Sequence, residues 1–145
     1  MAFKTNFITF DQGAERVAMA VKKLGIDLSK VVTSRDAGVK TRQEALEVTG
    51  LPEGFKKWQL PIVLDRAQLF YSEAGPNIAV PEHSHDEGAG VRLILSGSII
   101  YNGKELSAGD WMYIPKGVKY SFLTGAAGVG QFYCYACCCV PQQQL

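Results

Sequence analysis

Residues 83–97 read HSHDEGAGVRLILSG, and residues 109–120 read GDWMYIPKGVKY. The first stretch opens with His83 and His85, the only histidines of the chain. On a strand, residues two apart project to one face about 6–7 Å from each other, so both imidazoles can reach a single ion. Counting back from Gly97, Arg92 shares its parity with Gly90 and Ile94, which predicts an inward guanidinium. Val91, Leu93 and Leu95 then face the other way as an apolar stripe that needs a cover, from the helical half or from a second subunit. A one-residue slip would reverse every one of these assignments.

Short β-branched and aromatic runs follow one another from Trp58 onward. They are 58–64, 68–72, 78–85, 91–95, 98–101, 111–114, 120–123 and 131–138. Asn102-Gly103 is a hairpin signal, because both residues accept positive φ. Ser107-Ala108-Gly109-Asp110 and Pro115-Lys116-Gly117 mark further turns. Many short strands with this punctuation point to a sandwich or small barrel. The first half reads differently: Ala14, Val17, Ala18, Val21 and Leu24 recur at helical spacing. Asp11 is the expected cap, Lys22 and Lys23 fall in the last turn, and Gly25 ends the helix. Thr41-Arg42-Gln43-Glu44 has the form of a capping box for a second short helix, stopped by Gly50 and Pro52. The expected division is a helical extension over 1–57, not an independent domain, and a β domain over 58–140.

The chain has 145 residues, enough for one domain with a core. Its 15 basic and 14 acidic residues give a net charge of +1, so no basic face for nucleic acid is expected. The N-terminus has no basic start followed by an apolar core, and no run is long enough to span a membrane. A cytoplasmic protein is the expectation. Cys134, Cys137, Cys138 and Cys139 crowd into the end of the chain, where they cannot staple distant loops to one another. They read as small apolar side chains of a last strand, with thiolate ligation or a redox-sensitive tail as the alternative.

The two opening stretches resemble the paired motifs of the cupin superfamily. In the first, His-x-His precedes a glutamate and then a glycine; here His83, His85 and Gly97 match. In the second, the glycine–proline–glycine skeleton is present as Gly109, Pro115 and Gly117. The resemblance covers roughly Asn77 to Phe122, and loosely extends to Cys138. It implies a mainly β, jelly-roll β-barrel of cupin type behind an N-terminal helical extension, and a homodimer. It also implies a divalent metal ion such as Zn, Fe, Mn or Ni, held by three histidines and a glutamate. This sequence departs at two of those four positions, with Gly90 for the glutamate and Tyr120 for the third histidine.

The candidate metal ligands are therefore His83, His85 and Glu87, the last being a third ligand if the strand persists past His85. Glu87 reads equally as a solvated loop acid, and Cys134 is a more distant ligand candidate. The candidate catalytic residues are Tyr120, Glu87 and Arg92. Tyr120 can bind metal as phenolate, donate a hydrogen bond, act as a general acid, or merely fill space. Arg92 is expensive to bury unpaired. Its partner is either Glu87 or Glu82, or else the carboxylate or phosphate of a substrate. These residues suit an enzyme acting on a small polar carbonyl- or carboxylate-bearing molecule. Lyase, isomerase or cyclase chemistry would run through a metal or through His/Tyr acid–base groups. A non-catalytic binding or sensor domain, a dioxygenase and a purely structural domain are the other readings. A small-molecule ligand is expected in each of the first three.

Overall fold

The computed structural model describes residues 8–38, 44–51, 53, 57–64 and 66–136. The chain forms two compact units, one of Met1–Asp27 with Asp36–Val63, the other of Leu28–Arg35 with Leu64–Leu145.

In the first unit, helix α1 spans Phe10–Leu24. Its cap is Thr9 rather than Asp11, because Gln12 completes a reciprocal capping box with Thr9 and leaves Asp11 in the first turn. Gly25 ends the helix in the left-handed conformation, its N–H bonded to the last carbonyls. The second helix does not form as expected. Glu44–Leu46 makes a single 3-10 turn, after which Glu47 bridges to Trp58. The Val48 N–H then bonds the Lys57 carbonyl and the Gln59 N–H the Leu46 carbonyl, so β-type pairing has claimed the backbone. Trp58–Leu64 is correspondingly no strand beyond that one bridge. The Arg16 guanidinium ties the unit together, donating to the Leu46 and Glu47 carbonyls. The Thr41–Gln43 part of the capping box, Pro52 and Cys137–Cys139 lie outside the described residues. No described helix is long and apolar enough to cross a membrane.

The second unit is one antiparallel sheet. Its strands are β1 (Val32–Thr33), β2 (Gln68–Ala74), β3 (Ala79–His83), β4 (Gly90–Tyr101), β5 (Lys104–Ser107), β6 (Trp111–Ile114) and β7 (Tyr120–Tyr135). The path runs β1-β6-β4-β7-β2, with β3 pairing β7 and β5 pairing β4. Asn102 and Gly103 take positive φ in the β4–β5 hairpin, as their pairing predicts. Two expected pairs of runs, 91–95 with 98–101 and 120–123 with 131–138, are each one long strand with an irregular middle.

That middle is where the sheet turns a corner. Ile99 pairs with Thr124, yet Gly97 pairs with Val129, so β7 has inserted extra residues against β4. Gly97 and Gly128 both take left-handed φ there, and a Cβ on Gly97 would overlap the Gly128 carbonyl. Ile94, Ile99, Leu106, Met112, Ile114 and Val129 form the apolar core. On the far side of the sheet Leu69, Tyr71 and Leu95 remain exposed.

The second motif also anchors β1. Buried Asp110 accepts from the Ser107 N–H, from Ser34 Oγ at 2.9 Å and from Arg35 Nε at 2.8 Å. Burial alone would push this carboxyl up, but those donors outweigh it and hold the group below the usual carboxylate range. Asp110→Ala, which strands these donors, should cost about 2–4 kcal/mol in denaturant unfolding. A depressed folded pKa makes the contribution full above the unfolded value and lost as pH falls through the folded one. The gap between wild type and variant should therefore close in acid below about pH 4.

Candidate functional site

The site is built from β3 and its exit, from β4, and from both ends of β7. The burial of β4 alternates, with Gly90, Arg92 and Ile94 inside and the intervening residues less so. Arg92 is 6% exposed. Opposite it on β7 stands Tyr133, whose ring centroid lies 4.5 Å from the guanidinium carbon, with Phe122 at 5.1 Å. Arg92 Nη2 donates to Tyr135 Oη at 3.2 Å and to Tyr120 Oη at 3.4 Å. The two phenol oxygens are themselves 2.9 Å apart.

Tyr120 and Tyr135 are the first and last residues of β7. A straight strand of that length would hold them about 50 Å apart. Their contact is therefore a direct consequence of the corner. The inserted residues also change the parity of the strand. Before the corner Tyr120, Phe122 and Thr124 are buried; after it the buried set is Val129, Gln131 and Tyr135.

The imidazoles close the cluster on its more exposed side. His85 Nε2 lies 2.9 Å from Tyr120 Oη. His83 Nδ1 donates to the Pro81 carbonyl at 2.8 Å, which orients its ring. The His83 ring packs 4.6 Å from Tyr120, and the His85 ring 4.0 Å from Tyr135. Burial, then the neighbouring His83 and Arg92, lower the His85 pKa to about 4 against a weaker pull from Asp86. The imidazole is thus neutral at pH 7. Burial and the adjacent Tyr120 push the Tyr135 phenol well up, with Arg92 opposing, so Tyr135 is a protonated donor.

Glu87 is exposed beyond the end of β3 and makes no three-ligand group with His83 and His85 among the described residues. The expected strand to residue 85 stops at His83, and Asp86 and Glu87 lie in a bend where Ser84 Oγ donates to Asp86. Without the strand, the same-face relation that made Glu87 a third ligand no longer holds. Glu82 is exposed as well, and Arg92 has no carboxylate partner among the described residues. Its Nε is buried with no hydrogen-bond partner. Cys134 pairs between Val91 and Leu69, two residues of the less buried face, and so sits between the inward Tyr133 and Tyr135.

The donor set does not fit a firmly held divalent ion. No group of three or more His, Cys, Asp or Glu side chains is placed to hold one among the described residues. His85 Nε2 is engaged by a phenol, and a buried guanidinium shares the same space. Gly90 leaves no room for an acid: a Cβ there would overlap the Tyr135 ring. Tyr135 is the functional residue that reading the sequence missed. Its signal was Gly90 itself, since a small residue at a position that usually holds a large one leaves room for a neighbour.

No family model matches the chain, and no curated protein matches it. Solved structures do. A cupin protein from Bacteroides fragilis is 30% identical over 50% of this chain and 65% of its own, with TM-score 0.41. A cupin-like protein of unknown function from Ralstonia eutropha is 21% identical over 48% of this chain and 46% of its own, with TM-score 0.43. KdgF from Halomonas is 12% identical over 55% of this chain and 74% of its own, with TM-score 0.44. This chain thus spans about half to two-thirds of the length of the first two.

Replacing Arg92 by Met removes one of the charges that keep His85 neutral. The His85 pKa, followed by NMR of the ring protons, should sit near 4 in the wild type and move up in Arg92→Met. An unchanged value would show that the guanidinium does not face the imidazole. The β unit is one antiparallel sheet that doubles over at Gly97 and Gly128, with Gly109 and Gly117 at positive φ in its turns.

Proposed function

We propose that the chain is an enzyme acting by acid–base chemistry on a small carboxylate that also carries a carbonyl group. The observation that carries this reading is the buried Arg92, with an unbonded Nε and no carboxylate beside it. Guanidinium is matched by a planar oxyanion, which would complete its hydrogen bonds and its charge together. Arg92 is thus the anchor for the substrate's anionic end.

The bond between His85 and Tyr120 supports the reaction class. A neutral imidazole is a proton acceptor, and a phenol is a donor of the right reach for a carbonyl oxygen. His85 takes the proton from the carbon next to the carbonyl, and Tyr120 donates to the oxygen on which negative charge develops. Arg92, already donating to Tyr120, favours negative charge anywhere along that path. Such a step serves an isomerase, a lyase or a cyclase alike. The depth of the phenols, with Tyr120 2% exposed, favours a second reading in which the barrel only binds its ligand.

The experiment is exchange of solvent deuterium into a panel of small 2-oxo and 3-oxo carboxylates, followed by proton NMR in the presence of a chelator. At least one should exchange, and Tyr120→Phe and His85→Gln should each slow that exchange about 100-fold or more. Arg92→Met should act chiefly through KM. Affinity lost in Tyr120→Phe, with no exchange of any compound by the wild type, would make the chain a binder.

A further inference from the structure

The acid–base scheme leaves Tyr135 unused, although it is fully buried and touches Arg92, Tyr120 and His85. Its hydroxyl lies 2.9 Å from Tyr120 Oη and 3.2 Å from Arg92 Nη2. Its ring packs 4.0 Å from the His85 ring and fills the space above Gly90 that a side chain there would need. A residue that only filled volume would do so as phenylalanine, without a buried hydroxyl to satisfy.

We propose that the centre of this cluster is an anion site that rejects divalent cations, and that Tyr135 sets that choice. Its hydroxyl and Arg92 together hold one carboxylate group, while its ring keeps Gly90 from being replaced by a ligating acid. The choice of a carboxylate as occupant rests on the reading given under Proposed function; the rejection of cations stands on the cluster itself. A cation drawn to the imidazoles meets the guanidinium and a phenol already on His85 Nε2, and finds no group of three ligating side chains among the described residues. An anion meets a buried positive charge with an open donor.

Formate, the smallest carboxylate, is the probe. Wild-type protein dialysed against Zn2+, Mn2+ and Ni2+ should retain well under one ion per chain. Formate should bind saturably by calorimetry and shift the Arg92 Nε–H resonance. Tyr135→Phe keeps the ring and removes one donor, so it should weaken formate by about fivefold, the worth of one hydrogen bond. Gly90→Ala keeps the hydroxyl but displaces the ring, and should weaken formate at least as much. Stoichiometric metal in the wild type, no formate effect on Arg92, or unchanged formate affinity in Tyr135→Phe would each overturn the proposal. The first two measurements need only the wild type, so a variant that fails to fold leaves the test intact. Formate binding without deuterium exchange sinks the catalytic reading alone. Exchange alongside unchanged formate affinity in Tyr135→Phe sinks this proposal alone.

Discussion

A guanidinium buried inside a β-sheet is the constraint from which the rest of the site follows. Taking Arg92 out of water costs several kcal/mol unless its charge and its donors are answered. This fold answers them without a carboxylate. Two phenol oxygens accept from Nη2, and the Tyr133 and Phe122 rings present their faces to the cation. Each ring contact contributes about 0.5–2 kcal/mol and each hydrogen bond to a charged group about 1.5–3 kcal/mol. These terms offset much of the desolvation, yet Nε is left over. A buried polar atom without a partner is a standing demand for one, which a ligand oxygen would meet.

The same constraint ties the site to the fold. Tyr120 and Tyr135 can share a guanidinium only because β7 turns back on itself, and it does so at inserted residues flanked by Gly128. Gly97 of β4 faces that corner and tolerates no Cβ. The glycine that ends the first motif is therefore as much a site residue as the phenols, although it lies on the corner and not in the cluster. It lets the sheet close far enough for the ends of one strand to meet.

Much of this was legible in the sequence, for identifiable reasons. Strand β6 and the Asn102-Gly103 hairpin follow from local alternation and turn chemistry, which act over a few residues. Arg92 keeps the parity of Gly90 and Ile94 because the register is unbroken from Gly90 to Ile94, the shift coming only between Ile94 and Ser96. The second helix was misread because its capping box is local, whereas Glu47 and Val48 were taken by pairing with Lys57 and Trp58. Glu87 was misplaced because Ser84 and Asp86 close a turn just where the strand was expected to continue. Tyr135 escaped the alternation pattern for a deeper reason. Its facing depends on the residues inserted at the β7 corner, and a bulge that swaps even for odd positions leaves no trace in alternation alone. Gly90 and Tyr135 are complementary shapes, and complementarity between distant residues is a property of the folded chain.

What lies against Arg92 decides between an anion site and a metal or ion-pair site. A crystal structure of the wild-type protein grown with formate at neutral pH is the most direct measurement. It should show Nη2 within hydrogen-bond reach of both phenol oxygens, an oxygen of the anion on Nε, and no ion between His83 and His85. Arg92 paired instead with Glu82 or Glu87, or a metal ion seated on the two imidazoles, would contradict it.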